Sequence, residues 1–286
     1  MKSRTSSSVF IASILLWFFA LASACLAATH PLNNPKALAV DANGNLYVAN
    51  VSGNNILIYN TNYVQQTSKT ITSNIANPTG IAFDTAGNLW VANYSPSNGS
   101  PVGSIAEYTD GKQNTSATVS GITEPTALAV DSGGNVWVVG NNLTLLLIAP
   151  DFAFQGKVLL KDIGTTSAVY GITAANGMLS WGSNSGVNVS PVSIGLLENF
   201  TNPTVDTNDT GYSLATDASG KMYMANFDGS VNVLTPPSTE KLFVQLNFLA
   251  AGIAIDNVRG RVYLSNETGN SIAVYSTAGE LLHTIE

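Results

Sequence analysis

The stretch Pro78-Thr-Gly-Ile-Ala-Phe-Asp84-Thr-Ala-Gly87-Asn-Leu-Trp90-Val-Ala-Asn93 decides the fold. An apolar run ends at Asp84, a turn carrying Gly87 follows, and a second run rich in strand-forming residues opens at Leu89. Asp and Asn side chains bond to nearby backbone, and Gly takes up positive φ without steric cost. Two apolar runs joined by such a turn predict a β-hairpin.

The same hairpin recurs along the chain. It reads Pro35-Lys-Ala-Leu-Ala-Val-Asp41 to Asn50, Pro125-Thr-Ala-Leu-Ala-Val-Asp131 to Gly140, Tyr212-Ser-Leu-Ala-Thr-Asp217 to Asn226, and Ala251-Gly-Ile-Ala-Ile-Asp256 to Asn266. A weaker copy, Tyr170-Gly-Ile-Thr-Ala-Ala175 to Trp181, has Ala175 at the Asp position and a shorter turn. Positions 41, 84, 131, 175, 217 and 256 are spaced 43, 47, 44, 42 and 39 residues apart. A period in that range marks stacked supersecondary units, none of which can bury both of its faces alone.

Each unit continues with a third apolar run, such as Asn55 to Tyr59 or Ser271 to Tyr275. A more polar fourth run follows, as in Gln66 to Thr72 or Leu281 to Ile285. Four antiparallel strands in some 43 residues make one blade, so the expectation is all-β: a six-bladed β-propeller of four-stranded antiparallel blades. Ala39, Ala82, Ala129, Ala215 and Ala254 suit a crowded axis, and Tyr47, Trp90, Trp137, Tyr223 and Tyr263 suit the widening space between blades. Thr29 to Asn34 is too short to lend the last blade a useful strand, and Leu281 to Ile285 can supply one. The ring should therefore close by packing, without strand exchange.

Composition narrows the function classes. Only 10% of residues are charged, against roughly 25% in an average domain, and the net charge is −7. A nucleic-acid partner, which needs clustered Lys and Arg, is not expected. Disorder does not suit a chain that is 45% apolar. Polarity resides instead in 30 Asn, 25 Gly and many Ser and Thr residues.

Residues 1–28 read as a signal peptide and 29–286 as the propeller. Lys2 and Arg4 precede the apolar stretch Val9 to Ala20, and Ala22-Ser23-Ala24 and Leu26-Ala27-Ala28 offer small-residue cleavage sites. Export to the periplasm or the medium is expected. Cys25 follows Ala22-Ser23-Ala24 and is a candidate lipidation site, although Ala22 stands where a lipoprotein signal prefers Leu. Lipidation of Cys25 would be the one route to a membrane.

The units resemble the NHL repeat, with Pro78 to Asn93 the closest copy and with Asn50, Asn93, Asn226 and Asn266 replacing its final Asp. The resemblance implies a propeller; relatives of that shape include binding scaffolds, lactonases of the SMP-30 group, and amidating and lyase enzymes. Fold does not choose among them. The SMP-30 resemblance would place a cation on carboxylates five residues before each anchor, but those positions hold Lys36, Thr79, Thr126, Tyr170, Tyr212 and Ala251. None is acidic, so no metal is expected. The amidating and streptogramin lyases are similar in using His, whereas this chain has only His30 and His283. Gly182-Ser-Asn-Ser-Gly186 lacks the spacing of a nucleophile elbow.

Loops entering first strands and leaving second strands share one face of a propeller. Lys36, Thr79, Thr126, Tyr170 and Tyr212 should therefore form a rim with Asn50, Asn93, Asn184, Asn226 and Asn266. That polar, partly aromatic rim suits a protein, peptide or carbohydrate ligand. A plainer reading is that the Asn residues only terminate strands. With no cofactor and no catalytic constellation legible, the expectation is a monomeric, non-enzymatic binding scaffold. The alternative is a lactonase-like hydrolase or a lyase with an unrecognised site.

Overall fold

The computed structural model describes residues 31–94, 102–141, 144–149, 154–159, 169–183, 186–191, 204–205, 211–235 and 239–286. The expected leader with Cys25, and also His30 and Asn184, lie outside the described residues. The strands fall into separate antiparallel sheets, each built from consecutive segments. The first holds β1 (Pro35–Val40), β2 (Leu46–Asn50) and β3 (Asn55–Tyr59). The second holds β4 (Pro78–Phe83), β5 (Leu89–Asn93), β6 (Val102–Thr109) and β7 (Lys112–Thr123). The third holds β8 (Pro125–Val130), β9 (Val136–Gly140), β10 (Thr144–Ile148) and β11 (Phe154–Leu159). The fourth comprises β12 (Val169–Ala175), β13 (Met178–Ser183), β14 (Gly186–Pro191) and the two-residue β15 (Thr204–Val205). The fifth comprises β16 (Gly211–Thr216), β17 (Met222–Asn226), β18 (Ser230–Thr235) and β19 (Thr239–Gln245). The last comprises β20 (Ala250–Asp256), β21 (Arg261–Asn266), β22 (Ser271–Ser276) and β23 (Leu281–Ile285).

The molecule is a β-propeller, but among the described residues full four-stranded blades number five, not the expected six: the first sheet stops at three strands. The run Gln66 to Thr72 is not a strand. Tyr59 bridges Gln65 and Ile56 bridges Ile71, so three steps along β3 face six along its neighbour. The surplus is taken up by a single 3-10 turn at Thr67–Lys69, which breaks the ladder.

Turn chemistry accounts for the hairpins. The Asp41 carboxylate accepts the N–H groups of Asn43 at 2.9 Å and Asn45 at 2.8 Å, and Gly44 takes φ 82°. Asp84, Asp131 and Asp217 repeat the arrangement. Asp131 also accepts the buried Trp137 indole N–H at 2.9 Å, and Asp84 that of Trp90 at 3.2 Å. The fourth unit, lacking Asp, pairs Ala175 with Met178 across Asn176 (φ 52°) and Gly177 (φ 71°). Two positive-φ residues are what a two-residue hairpin loop demands.

Aromatic side chains fill the space between sheets. Trp90 packs with Leu128 and Val138 of the next sheet, Trp137 with Ile172 and Trp181, Tyr223 with Ile253, and Tyr263 with Leu38 of the first sheet. Burying such rings contributes more than any other side chain to a core of this kind.

The last sheet draws all four strands from its own segment, and Pro31–Asn34 pair with none of them. Closure is by packing and side-chain bonds. Ser265 Oγ donates to the Lys36 carbonyl at 2.7 Å, and the Asn34 N–H donates to Asn270 Oδ1 at 2.7 Å. Gly252 lets the backbones approach, since a Cβ there would collide with the Lys36 carbonyl. At the outer edge Arg261 donates to the Thr61 carbonyl at 2.8 Å. Its guanidinium lies 4.9 Å from the Tyr63 ring, which stacks on His283 at 4.5 Å.

Candidate functional site

Every first strand is irregular at the same place. Pro78 pairs with Asn93 but Gly80 with Ala92, which leaves Thr79 as an extra residue. The same shift isolates Thr126, Tyr170 and Tyr212, and falls between Pro35 and Leu38 and between Ala250 and Ile253. A bulge of this kind bends the strand and re-aims one side chain. The bulged residues Lys36, Thr79, Thr126, Tyr170 and Ala251 line a narrow central cavity of ≈ 70 Å³. That volume holds a few waters, so a larger ligand would sit at the mouth.

Three rings gather beside the mouth. Tyr170 and Tyr212 stack with centroids 5.2 Å apart, and Phe227 meets both edge-on at 5.2 and 5.0 Å. Phe227, in contact with the cavity-lining Tyr170, is 39% exposed and leaves a large apolar face open. Burial, then the fields of Glu267 and Tyr170, push the Tyr212 phenol up to about 12, so it stays a hydrogen-bond donor at neutral pH. Half-buried Lys36 has its pKa lowered from the ordinary 10.5 by burial, with the Glu267 carboxylate opposing the shift. The hydroxyls are partly engaged: Thr79 donates to the Pro125 carbonyl at 2.6 Å and Thr126 to that of Val139 at 3.3 Å.

The structure thus brings Lys36, Thr79, Thr126, Tyr170 and Tyr212 to one place. The Asn residues have a different situation. Asn50 is fully buried; its Oδ1 accepts the Asn33 N–H at 2.6 Å, and its Nδ2 donates to the Pro31 carbonyl at 3.2 Å and to Asn55 Oδ1 at 2.9 Å. Asn93, also buried, accepts the Ala76 N–H at 3.0 Å and donates to the Asn74 carbonyl at 3.3 Å. Buried Asn226 donates to Ser230 Oγ at 3.0 Å, and half-buried Asn266 accepts the Gly269 N–H at 2.9 Å. These side chains fasten loops to strand ends, as the plainer reading has it.

Phe227 and Glu267 escape a sequence reading that stops at the Asn. Each directly follows one, Asn226 and Asn266, and that offset was the available signal. His283 sits exposed on the outer strand, away from the mouth. Among the described residues no three His, Cys, Asp or Glu side chains gather as metal ligands would.

No family model and no curated protein matches the chain. Solved structures do. One is a catalytically inactive His-to-Ala variant of virginiamycin B lyase from Staphylococcus aureus with quinupristin: 15% identity, TM-score 0.57, covering 82% of this chain and 77% of that one. Another is the selenomethionine-substituted form of that lyase, at 15% identity and TM-score 0.55, covering 80% and 76%. At such identity the likeness establishes the propeller. Both of these structures are of an enzyme, which goes against the expectation of a non-enzymatic scaffold and favours its lyase alternative.

Proposed function

We propose that the protein is a lyase-like enzyme whose active site is the channel mouth. The observation that carries this reading is a half-buried Lys36, with its ammonium form disfavoured, set in the same ring of bulges as the Tyr170–Tyr212–Phe227 wall. An elimination needs a base matched to its task, and burial is how a lysine becomes one. Lys36 Nζ would take a proton from a carbon beside a carbonyl. The freed pair forms a double bond, the neighbouring carbon–oxygen bond breaks, and the departing oxygen recovers the proton from Lys36. The Tyr212 hydroxyl, still protonated, would hold the carbonyl oxygen as charge develops on it. Lysine would thereby do the work that a His does in the streptogramin lyases, and the step calls for no cofactor.

The finer readings belong to the same proposal. The three-stranded first sheet acts as a sixth, reduced blade in an NHL-type ring. Residues 1–28 direct export, with Cys25 either lipidated or removed, and the mature protein acts as a monomer. The aromatic wall favours a substrate with a flat or apolar face and neutral polar groups, of peptide or carbohydrate type.

Mass spectrometry separates the options. Quinupristin and short O-acylated serine and threonine peptides serve as probes. Elimination yields products whose summed mass equals that of the substrate, whereas hydrolysis adds one water. Lyase chemistry predicts the first outcome; products one water heavier, or no conversion of any probe, would overturn it.

A further inference from the structure

A cavity larger than the channel lies away from its mouth. On the opposite face, where the Asp turns lie, a cleft of ≈ 500 Å³ opens between the first and second sheets. It exists because the first sheet has no fourth strand: Ser68, Lys69, Thr70 and Ile71, the residues of the 3-10 turn and its exit, line it in place of one. Its volume falls in the range of small-ligand sites, about 300–1,000 Å³, and exceeds the channel cavity several-fold.

We propose that this cleft binds a small saccharide. Its wall is aromatic, with Tyr47 and Phe83 edge-to-face at 4.9 Å, and a pyranose C–H face packs on such rings. Its rim supplies acceptors from Asp41 and Asp110 and a donor from Lys69, and hydroxyl groups use both kinds. The Tyr47 hydroxyl, whose pKa is raised by burial and then by Asp41 and Asp110, lies within the fields of both carboxylates. A simple cation would meet Lys69; a neutral polyol uses every group.

Ligand-observed NMR tests this on the full mature chain with cellobiose, maltose and N,N′-diacetylchitobiose. Saturation transfer to ring protons of at least one disaccharide is expected. Ser68→Trp, at an exposed position facing the cleft, should abolish it. Asp110→Gly, which suits the φ of 50°, should weaken it about five- to ten-fold, and Lys36→Gln at the mouth should leave it unchanged. Far-UV circular dichroism checks that the variants fold. Failure of all three disaccharides, binding that ignores Ser68→Trp, or binding lost in Lys36→Gln would overturn the proposal. So would preferential binding of benzylammonium, which would make this a cation site.

Discussion

Asn50, Asn93 and Asn226 end second strands with one residue type, whereas the bulge of the first strands holds Lys36, Thr79, Thr126, Tyr170, Tyr212 and Ala251. The Asn positions are buried and bonded to loops; the bulged positions converge on the channel. The contrast has a physical cause. Each strand end must satisfy the same stray backbone groups, so one side chain solves the problem in unit after unit. The bulged side chain is released from the ladder by its extra residue, and nothing in the blade dictates what it is. Within a repeat protein, a position that keeps its residue serves the fold, and one that varies is where a site can be built.

That contrast can be challenged first at the Asn collar. Asn93→Ala leaves the part-buried Ala76 N–H without a partner and takes from the Asn74 carbonyl one of its two donors, the Tyr108 hydroxyl being the other, and should cost about 2 to 3 kcal/mol in urea unfolding. Turnover by the fraction still folded should be unchanged. A loss of activity without a loss of stability would place Asn93 in the site instead.

Turn aromatics come next. Trp137→Phe keeps a buried aromatic ring of smaller volume but removes the donor to the buried Asp131 carboxylate, and the two losses together should cost about 2 kcal/mol. Trp90→Phe should cost less, because its bond to the half-buried Asp84 is longer, 3.2 Å against 2.9 Å. Equal losses would mean that ring packing, and not the Asp bond, sets both.

At the mouth, Phe227→Ala removes an exposed ring from the aromatic wall. It should raise KM five- to ten-fold, roughly 1 kcal/mol, with stability almost untouched. The smallest expected effect is the pH dependence of stability contributed by Lys36. Its folded pKa lies below 10.5, so between the two values the unfolded chain binds more protons and stability rises with pH. The penalty is fully present below the folded pKa and is relieved as pH approaches 10.5. Lys36→Met should remove that slope and be slightly more stable at neutral pH; an unaltered slope would assign it to other groups.

Much of the fold is legible in the chain because its cause is local. The Asp41, Asp84, Asp131 and Asp217 turns follow from a carboxylate two to four residues from the N–H groups it accepts. The three-stranded first sheet is not legible, because Gln66 to Thr72 has strand-like composition and only its register against β3 forces the 3-10 turn. Register is a property of two segments, and one run of sequence does not carry it. The same holds for the site. Lys36 and Tyr212 could be singled out by their offset from the anchor, but the convergence of Phe227 and Glu267 on them arises from loops of different sheets.

Lys36 offers the decisive comparison. Turnover of a converted probe is measured for the wild type and for Lys36→Gln side by side, with unfolding curves confirming that both are folded. A drop of about 10²- to 10⁴-fold in kcat/KM, with stability retained, is the result expected of a lost general base. Turnover by Lys36→Gln equal to that of the wild type would contradict a base at position 36, and with it the assignment of the bulged ring as the active site.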